Sequence, residues 1–360
     1  MTPARQRVVG LVLSVIAVAV VIQFFGWYLP QSYGPSTTRL VAQALYIGIA
    51  AMGLNLLTGY NGQVSIGHGA FFGVGAYTTA LLMNHQYTWS LGFGSISFGH
   101  WPFLATVPAS AVVCFVVGAL VGFPALRVKG LYLALVTLGL AVIFPDLATR
   151  FVKGTGGTSL VALTPSELAA PSWVPSKLAA QDQWAYYNAF VFALAGVIVV
   201  WMIARSRFGR SLIAVRDHES AAASVGIDLA RTKVLAFALS ALYAGVAGSL
   251  SVLVLFTASA GKIETFQLSI QFLVALVIGG AATVVGPLIG GFAVVYIDKW
   301  AGDAFPDKPV VSPAIFGIAL IVLMYVLPDG IIGGVRRLGA LARRRFTAGR
   351  RRSAPTPVST

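Results

Sequence analysis

Charged residues and cysteine are both scarce in this sequence. Only 10% of its 360 residues are Asp, Glu, Lys or Arg, whereas about 25% is typical of soluble domains. Residues 40–126 form a stretch of 87 positions without any of these four residue types. A soluble fold could not tolerate so long an uncharged stretch, so we expect most of the chain to lie in a lipid bilayer. The one cysteine, Cys114, excludes an intrachain disulfide.

The sequence also lacks the residue patterns of enzymes and of ion-driven carriers. It has no Gly-x-x-x-x-Gly-Lys-Ser/Thr phosphate loop, and it has no Ser/His/Asp set or carboxylate pair suited to catalysis. Asp146, Asp298 and Lys299 lie near the ends of apolar segments rather than in their middles. We therefore predict that the protein is not an enzyme and holds no cofactor or metal. Its energy must come from a partner, unless it is a passive channel.

The apolar segments predict an all-α, polytopic bundle of about ten transmembrane helices within a membrane domain at 1–335. A span needs about 20 mainly apolar residues. The first apolar segment is longer than the core of a typical signal peptide, so we expect it to be retained. The predicted spans are 9–29, 40–57, 69–84, 103–125, 131–148, 186–204, 234–257, 268–284, 287–301 and 312–328.

The basic residues predict the orientation of these spans. With a cytoplasmic N-terminus, 18 of the 25 Lys and Arg residues fall in cytoplasmic segments, in agreement with the positive-inside rule. Both termini and residues 205–233 are then cytoplasmic, whereas the long loop at 149–185 is external. Residues 336–360 carry eight arginines, and we expect a disordered tail that is attracted to anionic lipid and not to nucleic acid.

Two glycine-rich stretches interrupt the apolar segments at corresponding places in the two halves of the chain. They lie at 54–77 and 278–291, and paired broken segments of this kind indicate a substrate path in transporters. Backbone groups freed in lipid need partners in the protein or in a water-filled cavity. Close helix packing is the alternative, which we expect for Gly73 and Gly75. The predicted path residues are Asn55, Tyr60, Asn61, Gln63, Ser65, His68, Gly279, Gly280 and Thr283.

His68 lies in the first glycine-rich stretch. A buried histidine could act as a proton relay or a metal ligand, but the other three histidines are scattered along the sequence at no ligand spacing. We therefore favour a structural histidine that is hydrogen-bonded within the protein.

Residues 205–233, called the charged segment from here on, hold nine charged side chains between two apolar segments. This segment is much longer than a connection between two helices needs to be. A short helix is predicted at 211–225, with Gly226 ending it in a left-handed cap and Asp228 capping the next helix. A small apolar face flanked by charge suits docking into another protein, and a helix on the membrane surface is the alternative. The predicted face consists of Leu212, Val215 and residues 221–223.

Four stretches that span nearly the whole chain carry a specific resemblance. They are Leu54–Ala80 with its core Gly59-Tyr-Asn-Gly-Gln-Val-Ser-Ile-Gly-His68, Leu126–Gly139 followed by Thr155-Gly-Gly157, Gly209–Gly226 followed by Lys233–Gly248, and Gly279–Gly291. In sequence and order they resemble the LivM-type permeases of branched-chain amino-acid ABC importers. The resemblance implies a permease subunit in the bacterial cytoplasmic membrane, with both termini in the cytoplasm.

The resemblance also implies partners and a coupling role. The partners would be a second, LivH-like permease subunit, two cytosolic ATPase subunits of the LivG and LivF kinds, an external solute-binding protein and the lipid bilayer. In that family the region around 221–226 forms a cytoplasmic coupling helix that contacts an ATPase subunit. The residues to which this role carries over are Arg216, Asp217, Glu219, Ala222 and Gly226.

Two positions depart from the family pattern. Members often carry acidic residues where this chain has Leu131 and Val142. No carboxylate is therefore present at these two positions to bind the ammonium group of a solute. The solute could be a branched-chain amino acid, urea, an amide or a carboxylate. The function predicted from the sequence is import of such a small polar solute. A urea or amide importer of the same type and a stand-alone carrier or channel are the alternatives.

Overall fold

The fold is a helix bundle, described by a computed structural model for residues 35–83, 88–91, 94–97, 101–125, 131–151, 160–162, 180–255, 257–259 and 265–304, with several positions between 314 and 334. A one-turn π-helix (Asn55–Tyr60) follows the first helix. The α-helices are α1 (Pro35–Leu54), α2 (His68–Met83), α3 (Phe103–Ala125), α4 (Leu131–Phe151), α5 (Ala180–Arg205), α6 (Arg207–Asp217), α7 (Glu219–Ser224), α8 (Leu229–Leu255), α9 (Thr265–Gly279) and α10 (Gly286–Ala304).

The predicted all-α, polytopic fold is confirmed. Eight of the ten predicted spans coincide with a described helix, and four of the described helices are both long and apolar enough to cross a bilayer. The predicted span at 268–284 is too long, because α9 ends at Gly279 and a turn follows. The predictions for 9–29, for 336–360, and for most of 149–185 and 312–328 lie outside the described residues.

Helix α8 is the central element of the bundle, packed against α1, α2, α3 and α5. Its small residues allow neighbouring helices to approach closely, which is how helices associate in lipid. A Cβ atom on Gly75 would overlap the backbone carbonyl of Gly245, and a Cβ atom on Gly73 would overlap the ring of Phe144. The prediction of close packing at these two glycines is confirmed.

Hydrogen bonds between side chains and neighbouring helices fix the position of α8. Such bonds are favoured in lipid, where a polar group without a partner is costly. The pairs are Thr79 Oγ1 with Ser249 Oγ (2.6 Å), Ser110 Oγ with the backbone oxygen of Gly245 (2.9 Å), and Tyr243 Oη with the backbone oxygen of Gly196 (2.8 Å). The centre of the bundle is therefore held by both close packing and polar contacts.

The peripheral helices turn apolar side chains outward. On α3 the exposed large side chains include Val112, Val116, Leu120 and Phe123. Such a surface suits contact with lipid or with another apolar chain and would be unfavourable in water.

Within the described residues, four short strands that were not predicted from the sequence form two antiparallel pairs. Strand β1 (Thr88–Leu91) pairs with β2 (Gly94–Ser97), and β3 (Leu160–Ala162) pairs with β4 (Thr257–Ser259). The second pair joins the predicted external loop to the chain just beyond α8. With four residue pairs in the first and three in the second, the strands leave the helical architecture unchanged.

Candidate functional site

The two broken segments meet at the side chain of Asn55, which is fully buried at the start of the π-helix. Its Nδ2 donates to the backbone oxygen of Thr283 at 2.6 Å, and its Oδ1 accepts from the backbone N–H of Ala282 at 2.8 Å. A carboxamide can do both because it carries a donor and an acceptor. The structure therefore brings together Asn55 and Thr283, two of the predicted path residues.

The turn between α9 and α10 has an unusual backbone. Gly280 has φ of 107° and Ala282 has φ of 55°, and a left-handed conformation costs about 1–2 kcal/mol for a residue with a Cβ. Thr283 Oγ1 donates to the backbone oxygen of Gly280 at 2.7 Å within the same turn. The bond from Asn55 to Ala282 therefore holds a strained residue in place, and strain of this kind clusters at functional sites.

Gly59 packs tightly against both Asn55 and the turn between α9 and α10. A Cβ atom there would overlap Asn55 Oδ1 and would lie 2.7 Å from the backbone nitrogen of Ala282. Gly59 belongs to the π-helix, and single-turn π-helices occur frequently at functional sites. The end of α1 and the turn between α9 and α10 thus form one packed unit.

Arg216 of the charged segment contacts the same unit. Its guanidinium donates to the backbone oxygen of Gly59 at 3.0 Å, and it also pairs with Asp217 at 2.9 Å. The stem of Arg216 passes so close to Gly62 that a Cβ there would lie 2.8 Å from its Cγ. Arg216 and the path residues were predicted as separate groups, and this contact was not predicted because 157 positions separate the two partners.

His68 is enclosed by protein on both sides of its ring. Its Nε2 lies 3.0 Å from the backbone oxygen of Ala50, and its Nδ1 lies 3.4 Å from Ser240 Oγ. A carbonyl oxygen only accepts, so Nε2 carries the hydrogen and Nδ1 accepts from the hydroxyl. This geometry agrees with the expectation of a structural histidine. No group of His, Cys, Asp and Glu suited to a metal occurs in the described part of the chain.

The remaining predicted path residues lie around the turn between the π-helix and α2. Ser65 is buried, and its Oγ accepts from the backbone N–H of Gly67 at 3.4 Å; Tyr60 is also buried. The carboxamide of Asn61 is buried with no hydrogen-bond partner among the described residues, and the same holds for Oε1 of Gln63. Gly279 ends α9 with its Cα packed on the backbone of Gly286.

The charged segment is folded as two helices. The predicted single helix at 211–225 is wrong, because the chain becomes extended at His218 (φ −157°, ψ 102°) between α6 and α7. This break turns Glu219 and Ala222 toward the bundle. The predicted cap at Gly226 (φ 84°) is confirmed, and the N–H of Ile227 bonds to the carbonyl of Ala222 at 3.1 Å, as in a Schellman motif.

The face that the charged segment presents to solvent differs from the predicted one. Leu212, Val215 and Ala222 are buried within the chain itself, because α6 and α7 pack against the end of the bundle. Their burial leaves another small surface free for a partner. The exposed residues of α7 and its cap are Ser220, Ala221, Ala223, Ser224, Val225 and Gly226.

Two charged contacts fix the start of α8. The carboxylate of Asp228 accepts from the backbone N–H of Arg231 at 3.0 Å, which confirms the predicted cap. Lys233 Nζ pairs with Glu219 Oε1 at 2.6 Å, and only 9% of the Lys233 side chain is exposed. This ion pair was not predicted from the sequence, although a lysine within the apolar start of a helix was a signal that it needed a carboxylate.

We expect Glu219→Gln to destabilise the protein by about 2 kcal/mol, because the ammonium group of Lys233 would lose its carboxylate while staying buried. This value lies between those of exposed and fully buried pairs, since 38% of the Glu219 side chain is exposed. Thermal unfolding in detergent measures the effect. The matched control is Arg231→Gln, which removes a largely exposed ion pair with Asp228. An equal shift in both variants would contradict a special role for the buried pair.

A polar cleft of about 530 Å³ lies at the opposite end of the bundle, between the start of α1, the start of α5 and the end of α10. Arg39 and Asp182 form an ion pair across it at 3.3 Å. Asp298 and Lys299 also line the cleft, which places both residues near a helix end, as expected from the sequence.

The chain is similar to known transport proteins over most of its length. Residues 36–325 match the family model described as the branched-chain amino acid transport system permease component. The high-affinity branched-chain amino acid transport system permease protein LivM of Salmonella typhimurium is 29% identical over 350 residues, covering 91% of this chain and 75% of that protein. LivM of Escherichia coli K12 is 28% identical over 354 residues, which again cover 91% of this chain and 75% of that protein. The probable branched-chain amino acid transport permease protein LivH of Methanocaldococcus jannaschii is 24% identical over 306 residues, covering 79% of this chain and 88% of that protein. None of the solved structures matches this chain.

Proposed function

This chain belongs to the branched-chain amino acid transport permease family, and on that premise we propose that it is a membrane-spanning subunit of an ATP-driven importer. It works beside a second, LivH-like permease subunit, and two cytosolic ATPase subunits supply the energy. A solute-binding protein delivers a branched-chain amino acid or a related small polar solute from outside. The chain itself is not an enzyme.

The observation that carries this proposal is the attachment of the charged segment to the bundle. Arg216 joins it to the π-helix at the end of α1, and Lys233 joins α7 to α8 through Glu219. A segment fixed at two points transmits a push or pull to the helices instead of bending by itself. On α7 and its cap the exposed residues are mostly small, which suits a groove on an ATPase subunit.

The sequence supports an external energy source. The chain has no phosphate-binding loop of its own, and its described acidic residues lie near helix ends rather than in the middle of a span. A carrier driven by protons or sodium would need a titratable or cation-binding group in the membrane. The ATPase subunits therefore provide the driving force.

We place the charged segment and both termini in the cytoplasm and the protein in the bacterial cytoplasmic membrane, because the basic residues concentrate on that side. The permease domain then covers residues 1–335, and the arginine-rich tail at 336–360 lies on anionic lipid. The charged cleft at the opposite end of the bundle becomes external. The binding protein docks at that end, over the loops that include 149–185.

The names of the relatives support branched-chain amino acids. The apolar residues Leu131 and Val142 replace two acids that members often carry, and the Val142 side chain is exposed on α4. Urea or another amide is therefore the alternative solute within the same mechanism. Thermal stabilisation of the cognate binding protein by leucine, urea or small amides identifies the solute class.

Reconstitution in proteoliposomes tests the proposed function. The complex of both permease subunits and both ATPase subunits, with binding protein outside, is expected to accumulate labelled solute only with ATP on the ATPase side. A complex whose ATPase subunits cannot hydrolyse ATP is the matched control and is expected to lose accumulation. Equal uptake by this chain alone, without ATPase subunits, would contradict the importer and favour a stand-alone carrier or channel.

A further inference from the structure

We propose that Asn55 and Arg216 form a hydrogen-bonded relay, in which Asn55 keeps the inner end of the solute path closed and Arg216 carries movement of the charged segment to it when the ATPase subunits act. The relay rests on the proposed function, and it adds to it by naming the residues that carry movement into the membrane. Both broken segments belong to it, together with α6. Each link is a direct contact between side chain and backbone.

The first link joins the charged segment to the π-helix. The carbonyl of Gly59 lies in the last turn of this helix, where carbonyl groups lack helical partners, and the guanidinium of Arg216 satisfies it at 3.0 Å. The stem of Arg216 is packed against Gly62. Asp217 binds the same guanidinium at 2.9 Å and limits its rotation. A displacement of α6 is therefore passed to the backbone at Gly59.

The second link joins the π-helix to the turn between α9 and α10. Asn55 holds the backbone of Ala282 and Thr283 with two hydrogen bonds. Gly59 is wedged between the Asn55 carboxamide and the nitrogen of Ala282, with no room for a side chain. Movement of Gly59 must disturb these two hydrogen bonds, because the three groups are in contact.

The turn itself favours opening once it is released. Ala282 has a left-handed backbone (φ 55°) that is unfavourable for alanine. The bond to Asn55 stabilises this conformation in the closed arrangement. When that bond breaks, Ala282 can relax and carry Gly280 and Thr283 away from α1. The relay is therefore a two-state element of the kind that a coupled partner can bias.

Thiol labelling at Thr283 tests the relay. The reporter is Thr283→Cys in a Cys114→Ala background, within the complete complex in inside-out vesicles, and the probe is a membrane-impermeant maleimide. We expect slow labelling without ATP because Thr283 is buried. Adding Asn55→Ala is expected to raise the rate without ATP by about tenfold, since two hydrogen bonds are lost. The matched control is Asn188→Ala, because Asn188 is also buried but its carboxamide donates within its own helix, to Trp184.

Arg216→Ala tests the first link, and its site is partly exposed, so the fold is expected to survive. This variant should keep slow labelling without ATP, and ATP should no longer accelerate labelling even in complexes that co-purification shows to retain the ATPase subunits. Arg216→Lys should restore part of the ATP response, because lysine can still donate to Gly59.

The outcomes separate the relay from the proposed function. If ATP accelerates labelling in the complex with the reporter alone, but Asn55→Ala labels as slowly as Asn188→Ala, the relay is wrong and the importer stands. If ATP accelerates labelling of Arg216→Ala as much as it does in the complex with the reporter alone, the first link is wrong. This conclusion holds even if the Asn55 variant does not fold. If ATP changes labelling in no complex although the same complexes accumulate solute with ATP, the coupled opening at Thr283 is wrong and the importer stands. If those complexes accumulate no solute, the proposed function fails, and so does the coupled opening that rests on it.

Discussion

The Ala223→Arg variant is expected to insert into the membrane normally but to bind the ATPase subunits about 30-fold more weakly, or not at all. Ala223 lies on the exposed side of α7, beside Val225 and the Gly226 cap. A small side chain there allows close approach of a partner, whereas arginine adds bulk and charge at the centre of the contact. Loss of a central contact typically costs 2 kcal/mol or more in association. Co-purification of the ATPase subunits with the tagged permease measures the loss.

The control for this variant is Ala304→Arg. Ala304 is also exposed on a helix, but it lies at the end of α10, on the other side of the bundle from the charged segment. We expect this control to bind the ATPase subunits as the wild type does. Normal binding by Ala223→Arg would instead favour the alternative, in which α6 and α7 lie on the membrane surface. In that case Ala223→Arg would strengthen, not weaken, the attachment of the segment to anionic vesicles.

The eight spans that coincide with described helices could be predicted from sequence because lipid imposes a strict condition. A helix that crosses a bilayer must be apolar over about 20 residues, and that requirement is visible without any knowledge of neighbouring helices. The caps at Gly226 and Asp228 were predictable for a similar reason, since each depends on residues within one helical turn. Local chemistry was enough at these positions.

The contacts of the candidate site could not be predicted, because they join residues far apart in the chain. Asn55 was predicted as a path residue, but its bond to Ala282 spans 227 positions. No local pattern indicates that a carboxamide will find a backbone group at that distance. The break at His218 was missed because nothing in its own sequence forbids a helix there. It follows from the packing of Ala222 and the pairing of Glu219 with Lys233.

Helix α10 is positioned by two adjacent glycines. Gly290 lies so close to α9 that a Cβ would overlap the backbone carbonyl of Ala275, and Gly291 faces α1, where a Cβ would lie 2.6 Å from the backbone nitrogen of Gly48. In both cases the obstructing atoms are backbone, which cannot rotate away as a side chain can. The second broken segment is therefore held between α1 and α9 by contacts that no residue larger than glycine can make.

Gly290→Ala is expected to destabilise the protein by about 3 kcal/mol or more, because one methyl group would have to push α10 away from α9. The matched control is Gly139→Ala on α4, where a Cβ would meet nothing within 4 Å. Since alanine is a better helix former than glycine, that change should be neutral or stabilising by up to about 1 kcal/mol. Thermal unfolding in detergent, followed by size-exclusion profiles, measures both variants. Equal stability of the two would mean that the contact between α9 and α10 is loose, and the turn at Ala282 would then have no rigid support from which a signal at Asn55 could move it.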